Sequence, residues 1–305
     1  MTSYLIRRIL WIIPVLLVVS FITFSLMHLV PGGPWDREKN LAPAIVQNLN
    51  RKYNLDKPVW EQYALFVWNA AHGDLGISYT SQNKNVTEII LRGFPITATL
   101  GLVALAFVLV MGLGLGILSA LRQNSWIDYV SLFFATLGAS TPNFVSAIVL
   151  IIVFAVGLHL LKTGGWGSPD QLIMPAIALG LTPAAFLTRM TRASLLEALG
   201  QDYVRTARAK GLSEKTVLTR HILKNALIPV VTILGPLAAY LVTGSFVIEN
   251  VFSIPGIGRI FIQGIGARDY ALIMGAVLFY ALIVAMANLV VDLLYGFIDP
   301  RIRYT

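Results

Sequence analysis

Apolar residues along the 305-residue chain gather into long runs separated by polar segments. A helix needs about 20 apolar residues to cross the hydrocarbon core of a bilayer. Runs of that size extend from Ile9 to about Val30, Ile96 to Leu121, Tyr129 to Leu161, Leu172 to Met190, Leu227 to Ile248 and Ala271 to Ile298. They predict an all-α polytopic membrane protein with six transmembrane helices. The third run exceeds one straight crossing, which predicts tilt or a kink, with Pro142 as the cause. The first run follows Arg7 and Arg8, as the core of a signal peptide would. It is longer than such a core, and Pro31-Gly32-Gly33-Pro34 supplies no small-x-small cleavage site, so it is read as a retained span.

The polar segment after the first span is too long for a turn. Apolar residues at helical spacing predict short helices over Ala42 to Tyr53 and Val59 to Ala71, the second ended by Gly73-Asp74-Leu75-Gly76. Trp60, Tyr63, Phe66 and Trp68 give this segment either a small core or a membrane-surface face. The chain then divides into a tail and first span (1–30), an external helical insertion (31–95), and a core of five spans (96–305) that carries a loop over 191–226.

Charge sets the orientation. Only 12% of residues are charged, against about 25% in soluble proteins. The net charge of +8 is carried by residues flanking the apolar runs, the pattern of membrane topology, and no nucleic-acid partner is expected. Arg7, Arg8, Arg122, Arg189, Arg192, Arg205, Arg208, Lys210, Lys215, Arg220, Lys224, Arg301 and Arg303 fall on the side of the N-terminus. The opposite short loops hold Lys162, Arg259 and Arg268. The positive-inside rule therefore places both termini and the 191–226 loop in the cytoplasm. The chain has no cysteine, which excludes disulfides and thiol chemistry.

The 191–226 loop is the segment with a job. Gln201 to Lys210 is rich in helix formers, with Tyr203, Val204 and Ala207 on one predicted face. Gly211 breaks that helix, Ser213 is placed to cap a second one, and Glu214 suits its first turn. Val217, Leu218, His221 and Ile222 make the apolar edge of the second helix. Helix, glycine turn and helix form a knob suited to docking a soluble partner. Positive charge alone would need no such shape.

Tyr203-Val204-Arg205-Thr206-Ala207-Arg208-Ala209-Lys210-Gly211-Leu212, followed by Arg220-His221, closely resembles the coupling segment of permease subunits of bacterial ABC importers, in the dipeptide and oligopeptide branch. In the wider family's Glu-Ala-Ala signature, Arg205-Thr206-Ala207 stands at the triplet and Gly211 at the glycine; Glu197-Ala198 lies at the wrong distance. Leu29 to Pro34, Phe94-Pro95, Ile254-Pro255-Gly256-Ile257-Gly258 and Asp299 to Tyr304 extend the resemblance over essentially the whole chain. It implies residence in the bacterial inner membrane and pairing with a second, homologous permease subunit. It further implies two cytoplasmic ABC ATPase subunits that take the coupling helix into a cleft, an external peptide-binding protein, and a peptide substrate. ATP and Mg belong to the ATPases, and no cofactor is assigned to this chain.

The residues agree on the last point. No GxxxxGK[ST] loop occurs, and Lys210-Gly211 is in the wrong order for one. No catalytic or metal-binding residue is assigned. Among polar residues in or near the spans (His28, Thr97, Asn143, His159, Asn225, Glu249, Asn250, Asn288, Asp292), Glu249 and Asn250 are candidates for an outer gate, and His28 and Asp292 for interfacial anchors. Gly112-x-Gly114-x-Gly116 is read as a helix-packing stripe. The competing class is an ion-coupled secondary transporter acting without an ATPase, which would leave the knob without a purpose.

Overall fold

The computed structural model describes residues 2–35, 42–81 and 84–298. Among them there is no strand, only an isolated bridge between Ile77 and Asn85. The helices are α1 (Thr2–Leu29), α2 (Pro43–Lys52), α3 (Val59–Ala71), α4 (Val86–Leu121), α5 (Trp126–Ser140), α6 (Asn143–Leu150), α7 (Asp170–Leu199), α8 (Asp202–Ala209), α9 (Glu214–Thr216), α10 (Leu223–Ala226), α11 (Ile228–Val242), α12 (Phe246–Val251), α13 (Ile257–Ala267) and α14 (Tyr270–Ile298). Among the described residues α1, α4, α7, α14 and the α11–α12 stretch (Ile228–Val251) are long and apolar enough to cross a membrane, and the bent pair α5–α6 makes a sixth if it is one span.

Two spans are longer than their apolar runs predict. α4 starts at Val86, not Ile96, because Asn85 Oδ1 accepts from the Thr87 N–H at 2.8 Å and opens the helix before Pro95 is reached. Pro95 is carried inside the helix, as membrane helices allow. α7 does not end at Met190 but runs through Arg192 to Leu199, so the first part of the expected loop continues the span.

The third run is neither one tilted helix nor one smoothly kinked helix. α5 and α6 meet at 111°. Thr141, preceding Pro142, is forced out of the helical region to φ −96°, ψ 123°. The carbonyl oxygen of Pro142 then accepts from the N–H groups of Val145 and Ser146 and starts α6, which widens into π-helical turns over Ile151–Gly157. The fifth run is also broken, at Gly244 (φ 79°), between α11 and α12.

α4 and α7 form the central pair, running parallel to each other, and small residues set their distance. A Cβ on Gly112 would lie 2.8 Å from Leu187 Cβ, one on Gly116 2.6 Å from Thr191 Cβ, and one on Gly180 2.8 Å from the Phe107 ring. Gly114 faces open space, so two glycines of the expected stripe pack and the third does not.

α1 runs antiparallel to α14. Arg8 forms an ion pair with Asp292 at one end, and His28 lies 5.4 Å from the Tyr270 ring at the other. At that second end sit α2 and α3, neither of which buries a residue fully. Tyr63 packs on Phe24 of α1 and shares a 3.0 Å hydrogen bond with Ser20, while Trp60 and Trp68 stand exposed. Behind them lies a cavity of about 250 Å³ lined by Phe24, Tyr53, Phe66, Tyr79 and Tyr270.

The fixed point of this insertion is Asp269, fully buried before α14. Its Oδ2 accepts from Ser78 Oγ (2.6 Å), the N–H groups of Tyr79 (2.8 Å) and Thr80 (3.2 Å), and Thr80 Oγ1 (3.1 Å), while Oδ1 caps the Leu272 N–H (3.1 Å). Burial, with the Asp269 charge beside it, pushes the Tyr79 hydroxyl well above the usual tyrosine range.

Candidate functional site

The knob is built on the far end of α7, opposite the insertion. α8 has two buried side chains, Val204 and Ala207, three apart on one face. They enter an apolar socket made by Leu195 and Ala198 of α7, Ala120 of α4, and Val217, Ile222 and Ala226 of the returning chain. Tyr203, expected on the same face, is instead 37% exposed, on the rim of the socket.

α8 ends as its sequence demands. Gly211 takes φ 75°, its N–H donates to the Arg208 carbonyl oxygen at 2.9 Å, and the Leu212 N–H reaches the Ala207 carbonyl oxygen at 3.4 Å. This is a Schellman ending with glycine at the left-handed position. A Cβ on Gly211 would meet nothing within 4 Å, so the constraint is conformational rather than steric.

The return differs from the regular capped helix expected. The Ser213 hydroxyl pairs with Thr216 Oγ1 at 2.9 Å and makes no cap bond to the backbone. After one turn the helix widens to π geometry over Val217–Ile222. A π turn brings residues five apart onto one face, and Val217 and Ile222 both enter the socket. Leu218 and His221 are half-buried beside them, and Arg220 is exposed.

Arg205, Thr206, Arg208, Ala209, Lys210, Gly211 and Leu212 form the exposed surface of the knob. Arg208 is already engaged, forking onto Glu214 with Nε–Oε1 at 2.8 Å and Nη2–Oε2 at 3.2 Å across the glycine turn. Arg205 stands 3.7 Å from Asp202, both well exposed, an arrangement worth little in stability. The surface thus shows basic groups with two apolar side chains, Tyr203 and Leu212, exposed among them.

At the opposite end, Glu249 and Asn250 of α12 part company. Asn250 is exposed. Glu249 is fully buried, and its Oε2 accepts from the Gly258 N–H at 2.8 Å. Thr97 Oγ1 of α4 accepts from the Ile257 N–H at 3.0 Å, so the two side chains together hold the N-terminus of α13. Carboxylate and helix N-terminus attract. Gly256 and Gly258 are needed there because a Cβ on the first would run into the Glu249 carboxylate and one on the second into the Phe246 backbone.

Two carboxylates that organise the chain went unassigned in the sequence. Asp269 is one, and Asp128, buried against Arg192 of α7, is the other. Their partners lie far along the chain, and no local pattern marks them. Among the described residues no group of three or more acidic or histidine side chains could hold a metal ion.

Residues 112–304 match the family model described as binding-protein-dependent transport system inner membrane component, and residues 1–101 match its N-terminal companion. The dipeptide transport system permease protein DppB of Bacillus subtilis is 42% identical over 303 residues, covering 99% of this chain and 98% of that protein. The oligopeptide transport system permease protein OppB of Escherichia coli K12 is 39% identical over 306 residues, covering all of both chains. Among solved structures, an inward-facing MetNI methionine ABC transporter superposes with a TM-score of 0.56 at 23% identity, over 69% of this chain and 96% of that one. An amino acid ABC transporter crystallised with histidines gives 0.55 at 17%, over 68% and 93%. The chain therefore shares its fold with both over about two thirds of its length. The chain is a member of the binding-protein-dependent transport system inner membrane component family, a multi-pass permease subunit of the bacterial inner membrane and of the ABC importer class rather than an enzyme.

Proposed function

We propose that this subunit forms half of the pore of a peptide importer, with oligopeptides as the substrate class. A second, homologous permease supplies the other half. Two ABC ATPases bind ATP and Mg on the cytoplasmic side, and an external binding protein delivers the peptide. The observation that carries this reading is the end-to-end similarity to proteins named as dipeptide and oligopeptide permeases, in a chain whose knob presents Tyr203, Arg205, Lys210 and Leu212 outward.

In this reading the exposed knob seats in an ATPase cleft, and closure of the ATPase pair on ATP moves it. Arg205, Thr206, Arg208, Ala209, Lys210, Gly211, Leu212, Arg220 and His221, with Tyr203 and Ala207, make up the coupling surface and its support. Such a device biases a two-state gate between inward-open and outward-open forms. We assign Glu249 and Asn250 to the outer gate in different capacities. Glu249 fixes the 254–258 turn from inside, and Asn250 presents its side chain at the surface beside it.

Purification of the tagged chain from its native host in mild detergent tests the assembly. A second six-span permease and two phosphate-loop ATPases are expected to accompany it. A chain that came through alone and transported without ATP would refute the importer reading and restore ion coupling.

Gly211 gives a finer test. A β-branched residue held at positive φ costs about 1–3 kcal/mol. Gly211→Val is expected to cut peptide uptake several-fold with the spans still folded, whereas Gly211→Asn, which tolerates the left-handed region, keeps most of it. Uptake by the valine variant equal to that of the unmodified chain would remove Gly211 from the coupling surface.

A further inference from the structure

One buried carboxylate gathers four elements at the knob end of the bundle. Asp128, in the first turn of α5, is 1% exposed. Its Oδ1 accepts from Arg192 Nε of α7 at 2.7 Å and from Ser119 Oγ of α4 at 2.5 Å. Its Oδ2 accepts from Arg192 Nη2 at 2.8 Å and from the Asn124 N–H, in the α4–α5 turn, at 3.0 Å. A bidentate guanidinium–carboxylate fork fixes orientation as well as distance. Such a pair adds little net stability when buried, because desolvation offsets the attraction; selecting one arrangement over others is its better-attested use.

Its location says which arrangement is selected. Arg192 lies one helical turn before Leu195, which with Ala198 forms the α7 side of the knob's socket. At its other end α5 meets the 111° bend into α6. Between the two ends α5 leans on α7 through polar contacts to its own backbone. Arg189 Nη1 donates to the Ala135 carbonyl oxygen at 3.2 Å, and Thr182 Oγ1 to that of Gly138 at 3.1 Å. α5 is thus clamped to α7 from the knob end up to the bend, where Thr182 Oγ1 also donates to Asn143 Oδ1 of α6 at 2.9 Å.

We propose that Asp128 and Arg192 are positioning residues for coupling: their ion pair makes α5 travel with α7, so that displacement of the knob reaches the α5–α6 bend instead of being lost as sliding between helices. This rests on the coupling role proposed for the knob. The two side chains act through α5, and no contact with nucleotide or peptide is required of them.

The test uses the whole complex in proteoliposomes, with cysteine-free partners, reading ATP hydrolysis and peptide uptake on the same vesicles. The unmodified complex is the first arm. Absence of ATP-dependent uptake there would overturn the importer reading itself, separately from the clamp. In Asp128→Asn and Arg192→Gln, ATP consumed per peptide transported is expected to rise at least tenfold. Arg192→Lys keeps the charge without the fork and is expected to fall between them and the unmodified chain. A pair with a merely structural role would lower the amount of assembled complex and leave the ATP-to-peptide ratio alone. A ratio within twofold of the unmodified value in Asp128→Asn overturns the clamp.

A second pair of substitutions decides the matter even if those variants do not assemble. The chain has no cysteine, and a Cβ on Gly138 of α5 would stand 3.3 Å from Ala185 Cβ of α7, close to disulfide spacing. Gly138→Cys with Ala185→Cys, oxidised, is expected to transport, because the bond joins helices that already move together. Where Asp128→Asn assembles, the same bond is expected to restore its coupling. Transport that stops on oxidation and returns on reduction would show α5 sliding over α7, and would overturn the proposal.

Discussion

Val204→Asp is expected to abolish transport, with uptake falling at least 100-fold, while the six-span body stays assembled. An eight-residue helix has no stability of its own in water. α8 is held by two buried side chains, and burying a valine contributes about 1.5–3 kcal/mol. An aspartate at 204 would face Leu195, Val217 and Ile222 with no cation in the socket, and an unpaired buried charge costs several kcal/mol. The penalty exceeds the anchoring energy, so α8 leaves its socket. Because the socket is built at the very ends of α4 and α7, the loss stays local. Uptake, together with capture of the ATPases by the tagged chain, checks this. A variant that kept both would mean that the knob is held by its partner rather than by its own core.

Asp269→Ala is expected to release the insertion over residues 42–81, each buried donor left unsatisfied costing about 1–3 kcal/mol. The carboxylate accepts from Ser78, Tyr79 and Thr80 on one oxygen and caps α14 with the other. With alanine there, the donors of residues 78–80, that of fully buried Ser78 above all, lose their acceptor, which is costlier than never having had one. Asp269→Asn keeps one acceptor oxygen and is expected to retain part of the effect. Hydrogen exchange over 42–81 reads the outcome directly. Protection unchanged in the alanine variant would show that contacts with α1, such as Tyr63 on Ser20 and Phe24, suffice to hold the insertion.

The helical class and the number of spans are legible in the sequence because lipid imposes a length on every crossing. Span ends are less legible. Pro95 and the charges at Arg189 and Arg192 look like boundaries, yet hydrogen-bonded helix continues through both, since a cap at Asn85 decides where α4 starts and the packing of Leu195 and Ala198 in the socket carries α7 onward. Pro142 is visible in the sequence as a disturbance, but its 111° consequence is not, because the angle depends on what α5 packs against.

At the knob, spacing places Val204 and Ala207 on one face but puts Tyr203 with them, which stands exposed, and Gly211 is readable as the turn. Arg208 is less legible: it meets Glu214 of its own knob, six residues on, across a turn whose shape no periodicity encodes. Asp128 is harder still. Its cation is 64 residues away, and only the packing of α5 antiparallel to α7 brings the two together.

The glycine contacts between α4 and α7 carry a consequence for how such a chain can vary over evolutionary time. Gly112, Gly116 and Gly180 fit against Leu187, Thr191 and Phe107 with no room for a methyl group. One inserted or deleted residue between Gly101 and Gly112 would rotate all that follows by about 100° about the helix axis. Both later glycines of α4 would turn away and bulkier side chains would take their places. Length changes should therefore accumulate in the segments outside this pair, while α4 and α7 keep a frozen register, much as the teeth of two meshed gears cannot be renumbered singly.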